Sequence, residues 1–148
     1  IQKNEEMMTS SFLYDLVNQM YMYAQADEEA PKDKIYEAES KVVKELAEKG
    51  NCVIVGRCSD YVLRDNRNCL RVFFSATMEK RIKRVMERRH LSEKDARQKI
   101  QKEDKWRADN YRYYTGRIWG AAGNFDLTVN TALGEDYIEM CIREAMKR

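Results

Sequence analysis

Residues 51–65 read NCVIVGRCSDYVLRD, and the reading of this stretch decides the fold. Cys52 to Val55 are apolar without a break, a run of the length and composition of a fully buried strand. Gly56 frees the backbone for a sharp turn, and Arg57 stands one residue beyond it. In open α/β sheets ligands gather at the carboxyl ends of strands, where helix N-termini also point inward. A guanidinium there stays charged and offers a planar fork of donors suited to phosphate or carboxylate. Two readings are open: an anion site, or an internal ion pair with a nearby acid such as Asp60 or Asp65.

Outward from this stretch, CLRVFF at 69–74 reads as a second short strand and FDLTVN at 125–130 as a third. The segment before it, 33–49, repeats Ile35, Ala38, Val42, Val43, Leu46 and Ala47 at helical spacing, and Gly50 is its stop signal. Ser75 or Thr77 caps a helix over about 78–90. SEKD at 92–95 is close to a capping box and opens a helix that runs to about Tyr114. After NTALGEDY a closing helix carries Ile138, Cys141, Ile142 and Met146. Strands separated by helices imply crossovers and a mostly parallel sheet, hence an α/β domain. Within residues 1–32, SSFLYDLVNQMYMYAQ has the composition of a helix, and ADEEAPKDK, with the only proline, reads as part of a mobile insertion or lid.

A chain of 148 residues is long enough for one core, so a single domain is expected over 1–148. Its 27 basic and 25 acidic side chains leave a net charge of only +2, which argues against a general nucleic-acid or membrane-surface binder. Charged residues are 35% of the chain and lie in mixed runs such as EKRIKRVMERR, the pattern of solvated helices. No apolar run has the length of a membrane span and no segment resembles a signal peptide. The four cysteines lack zinc-site spacing. They read as reduced core thiols of a cytoplasmic protein, two of them in expected buried strands, and no metal-binding set is expected.

Arg81, Arg84 and Arg88 follow i, i+3, i+7 spacing and share one stripe, while Ile82, Val85 and Met86 occupy the sector expected to be buried. Aligned like charges repel, and a polyanionic ligand, facing carboxylates, or local Glu79 and Glu87 would relieve them. On the next helix one stripe reads Ile100, Asp104, Arg107, Tyr111, Tyr114, with Lys102, Lys105 and Arg112 nearby. A carboxylate and an arginine among apolar groups mark either a harmless ion pair or a face turned to a polar cleft. In YRYYTGRIWGAAGNFD, Gly116, Gly120 and Gly123 punctuate an aromatic loop that suits a closing segment or an ordinary plug at the sheet edge. His90, the only histidine, is placed for a helix-terminal role.

Taken in order, CVIVGRCSDYVLRD, LRVFFSATMEKRIKRVMERRHLSEKDARQKIQKEDKWRADNYRYYTGRIWG and NFDLTVNTALG resemble the cytidylate-kinase-like family of P-loop nucleoside monophosphate kinases. The resemblance spans roughly residues 36–146. It implies a three-layer P-loop NTPase-like fold, a mostly parallel sheet with flanking helices, and ATP- and Mg²⁺-dependent phosphoryl transfer to a nucleoside monophosphate such as CMP. By the same resemblance Arg57 holds the acceptor's phosphate, Asp60 lies on the substrate side, and Asp104 positions the lid cations or touches the acceptor nucleotide. Arg84 and Arg88 lie at the entrance of a lid over about 91–123, Lys105 and Arg107 lie inside it, and Asn130 and Thr131 pass the adenine of ATP. Residues 1–35 correspond to an insertion on the monophosphate side. Convergent arginines suit this chemistry, which runs mainly on positioning and on positive charge around the transferred group. The sequence departs from the family in one respect. Its six glycines include none placed for G-x-x-x-x-G-K-[ST], so the first strand and P-loop are expected upstream of Ile1. The alternative is a non-catalytic nucleotide or phosphate binder on the same fold.

Overall fold

The structure is a computed structural model in which residues 31–147 are described. Of the helix and insertion read over residues 1–35, residues 1–30 lie outside them, and 31–35 fall in a helix. The described residues fall into two compact units that meet in sequence at Leu63 and Arg64.

The first unit holds helix α1, Pro31–Lys49. Proline at the first helical position has no amide to waste, and Asp33 and Lys49 place opposite charges at the ends the helix dipole favours. Gly50 ends the helix at φ 74°, its N–H donating to the Ala47 carbonyl at 3.2 Å. Val43, on the apolar stripe, is 4% exposed. The strand expected over 51–55 does not form: Cys52–Val55 carry no ladder, and Val53 and Val55 are 93% and 86% exposed. A strand exists only through a neighbour's amides and carbonyls, and none of the described residues supplies them here. Cys52 is accordingly exposed rather than buried. The chain then makes a left-handed run through Gly56, Arg57 and Cys58, at φ 77°, 57° and 51°. It enters the single turn α2, Ser59–Val62, and buries Leu63.

The second unit is built on two parallel strands, β1 Val72–Ser75 and β2 Leu127–Asn130, in register from Val72 opposite Leu127 to Ser75 opposite Asn130. Both are shorter than the segments expected from sequence, and Cys69 lies outside β1. Between them run α3, Met78–Arg89, and α4, Glu93–Thr115. Thr77 rather than Ser75 caps α3, accepting from the Lys80 amide, and Ser92 caps α4 by accepting from Asp95. His90 is the C-cap of α3 at φ 52°, the helix-terminal place read from sequence.

The two helices pack through Ile82, Ala96 and Ile100, with Met78, Val85, Met86 and Leu91 around them. Ile82 and Ile100 are 4% and 3% exposed, and burial on that scale stabilises by about 1.5–3 kcal/mol per side chain. The last helix, α5, is Glu135–Ala145. The architecture is therefore α/β, a small parallel sheet with flanking helices.

The glycine-rich loop settles onto β1. Trp119 meets the Phe73 ring edge-on at 5.7 Å and Phe125 lies 5.0 Å from it, the plugging arrangement allowed by the sequence. Gly120 sits at φ 74°, where a Cβ would come within 2.9 Å of the Phe73 ring. Gly120→Ala is expected to cost about 1–2 kcal/mol through backbone strain and crowding of that ring, read as a lower urea midpoint at unchanged slope.

Candidate functional site

Asp104 organises the centre of the second unit. Its carboxylate accepts both terminal nitrogens of Arg81, reaching across from α3, at 2.6 and 2.7 Å. It also accepts from Arg107, one turn along α4, at 3.3 Å. Arg107 donates its other terminal nitrogen to Glu103 at 3.1 Å, and Lys99 closes on Glu103 at 3.0 Å. The hydrogen bonding to Asp104 is the main reason the Arg81 guanidinium holds its proton more tightly than usual. The pKa of Glu103 is lowered from its ordinary value, first by the Lys99 hydrogen bond, with burial opposing and Arg107 adding to the lowering.

Exposed i,i+4 pairs of this kind contribute little. The Arg81–Asp104 pair is different, being a two-pronged bond between side chains only 30% and 23% exposed. Of the residues expected at the lid, Asp104 and Arg107 are thus brought together, with Arg81 as the partner that the sequence left unassigned. Lys105 instead pairs with Asp109 at 2.7 Å. Arg84 and Arg88 are exposed and, among the described residues, meet no acid; Glu79 and Glu87 pair with neither. They present uncommitted guanidinium groups on the solvent side of α3.

In the first unit Arg57 lies 2.7 Å from Glu39 of α1, with side-chain exposures of 58% and 14%. This corrects the internal partner expected from spacing, Asp60 or Asp65. The buried Glu39 Oε1 lacks a directed hydrogen bond despite that short approach. Burial raises the Glu39 pKa and Arg57 lowers it, with burial the larger influence. The Cys58 thiol beside them is pushed up to about 11 by burial, then by the charges of Asp60 and Glu39. At pH 8 only about one Cys58 in a thousand is thiolate, against about a quarter for an ordinary thiol. In iodoacetamide labelling at that pH, followed by peptide mass spectrometry, the exposed Cys52 is expected to be alkylated about 100-fold faster than Cys58.

The two ends of the sheet are tied differently. At the amino end Arg71 clasps Asp126 through its backbone N–H at 2.8 Å, Nε at 3.0 Å and Nη2 at 2.9 Å. At the carboxyl end Thr131 Oγ1 donates to the Ser75 carbonyl at 3.1 Å, and Asn130 Oδ1 accepts from the Ala132 amide at 2.9 Å. Asn130 and Thr131 therefore stand at the end of a parallel sheet where ligands bind in such folds.

Among known proteins, the model of the cytidylate kinase-like family matches residues 1–133. The chain belongs to the cytidylate kinase-like family. Among solved structures, this cytidylate kinase-like chain is similar to the crystal structure of an uncharacterized protein from Eubacterium ventriosum ATCC 27560, at 28% identity and a TM-score of 0.69, covering 88% of this chain and 74% of that one. No curated protein matches. Kinase-like membership places transferase chemistry and nucleotide binding as the general activity.

Two ion pairs of this cytidylate kinase-like chain escaped the sequence reading. Glu39 had a visible signal: it falls between Ile35 and Val43 at four-residue steps, a carboxylate on the buried stripe of α1. The Arg71–Asp126 clasp spans 55 residues and had no local signal beyond a charge at the start of each strand.

Proposed function

We propose that this chain is the working part of a cytoplasmic nucleoside monophosphate kinase, transferring a phosphoryl group from ATP with Mg²⁺ to a monophosphate, with CMP the first candidate. The observation that carries this reading is Asp104 holding Arg81 and Arg107 together on the α3–α4 helix pair, in a chain of a kinase-like family. Positive charge fixed in advance is what phosphoryl transfer needs, because the reaction runs through spread negative charge on the phosphoryl oxygens.

In this reading residues 1–148 form one kinase-like domain on a three-layer P-loop NTPase-like sheet, with 91–123 as its lid. Arg57 binds the acceptor's phosphate and Asp60 and Asp104 lie on the acceptor side. Arg84 and Arg88, which meet no acid among the described residues, contact the phosphoryl groups with Lys105 and Arg107, and Asn130 and Thr131 border the adenine. In this reading the Mg²⁺ ion is carried mainly by nucleotide phosphates and water. Residues 1–148 do not fit the ATP triphosphate by themselves, lacking G-x-x-x-x-G-K-[ST], and the reading requires that loop elsewhere in the natural polypeptide.

The test is a coupled ADP-release assay on the full natural polypeptide with ATP, Mg²⁺ and each common nucleoside monophosphate. Turnover with a pyrimidine monophosphate supports the reading. Nucleotide binding without ADP release from any of them overturns it in favour of a non-catalytic binder.

A further inference from the structure

Arg57 faces two claims. Its side chain is 58% exposed, yet one guanidinium nitrogen is already 2.7 Å from Glu39. We infer that Glu39 is a built-in competitor for the anion, occupying Arg57 until a phosphate displaces it and then taking a proton from solvent. The inference rests on the reading of Arg57 as the phosphate-binding residue and assigns Glu39 as its positioning residue.

Three observations carry it. First, the contact is incompletely made: the buried Oε1 has no directed hydrogen bond, and the neighbouring Ser40 Oγ is also buried without a partner. A phosphate that accepts two aligned N–H groups outcompetes such a contact. Second, the left-handed run at Gly56, Arg57 and Cys58 holds the arginine in a backbone conformation that side-chain-bearing residues rarely adopt. Strain of this sort concentrates at ligand clamps and switch segments. Third, Glu39 is 14% exposed on α1, with its Oε1 shielded from solvent, while Arg57 is 58% exposed, so the arginine is the more open member of the pair. Once the cation turns to a phosphate, the carboxylate is left beside the neutral Cys58 thiol, which feels the charges of both Asp60 and Glu39. Protonation then removes both its burial cost and its repulsion of the ligand. Burial already holds the Glu39 pKa above the ordinary value, while Arg57 is the influence keeping it down.

The sign follows from linkage. The liganded state binds one more proton than the free state, so anion binding strengthens as pH falls toward the Glu39 range. Inorganic sulfate is the suitable probe, because its charge does not change between about pH 5.5 and 8, whereas a nucleotide phosphate titrates near 6. Sulfate and CMP binding would be measured by calorimetry in buffers of different ionisation enthalpy, on the wild type, Glu39→Gln and Arg57→Ala.

Wild type is expected to take up protons as sulfate binds. Glu39→Gln is expected to bind sulfate and CMP about 5–10-fold more tightly at pH 8, with proton uptake on sulfate binding abolished. Arg57→Ala is expected to lose both ligands. If Glu39→Gln binds equally or more weakly while Arg57→Ala loses binding, the competitor role is overturned and the reading of Arg57 survives. If Arg57→Ala binds like wild type, that reading itself fails. Should Glu39→Gln not fold, the wild type decides: sulfate binding without proton uptake overturns the inference.

Discussion

Arg57→Ala should raise the KM for the accepting nucleoside monophosphate by about 100-fold in the coupled ADP-release assay. Two charge-assisted hydrogen bonds to a phosphate are each worth about 1.5–3 kcal/mol, and every 1.4 kcal/mol is about tenfold, so even the low end gives this loss. The effect on folding is separable. Arg57 is more than half exposed, so its own contacts contribute about 0–1 kcal/mol. Its removal leaves the half-buried Glu39 without the cation that lowers its pKa, and the carboxylate pKa moves further up from its already raised value. A raised pKa means that the folded state binds the proton more tightly than the unfolded chain. Stability is therefore retained below the ordinary carboxylate range and lost as pH rises through the folded pKa. The variant's stability deficit should shrink on acidification, seen as convergence of thermal unfolding curves. Near-normal ADP formation from ATP and CMP by Arg57→Ala would remove the arginine from the site.

Asp104→Ala should be the more damaging change to the second unit. It strips Arg81 of both hydrogen bonds at 2.6 and 2.7 Å and Arg107 of its 3.3 Å contact. Breaking a fully buried ion pair costs about 3–5 kcal/mol. With a quarter to a third of these side chains in water, about 2–4 kcal/mol is expected here. That would show as a lower midpoint in chemical unfolding. Turnover should fall with it by about 100-fold, because the arginines lose the carboxylate that holds them in place for the phosphoryl group. Asp104→Asn keeps an acceptor for one nitrogen and should recover part of the stability. If Asp104→Ala unfolds more readily but keeps its kcat at a temperature where it is fully folded, the cluster is structural and the phosphoryl site lies elsewhere.

The helices were legible in the sequence because their signals are local. Gly50 stops α1, Thr77 and Ser92 cap α3 and α4, and the Ile82–Val85–Met86 sector faces inward, each through spacing or one short-range hydrogen bond. The family was legible for a related reason, since its arginines, aspartate and glycines recur in order along the chain. Strand existence and ion-pair partners were not. Residues 52–55 have a strand's composition, but a ladder is a property of two segments, and only β1 and β2 found each other among the described residues. In the same way Arg57 had acids three and eight places away, yet the contact went to Glu39, eighteen places back on α1. Arg81 passed over Glu79 and Glu87 for Asp104 on the next helix. Sequence by itself determined which residues carry charge and which helix face each occupies. Only tertiary packing decided which opposite charges meet, because a guanidinium's strongest partner is set by distance and burial after the helices have docked.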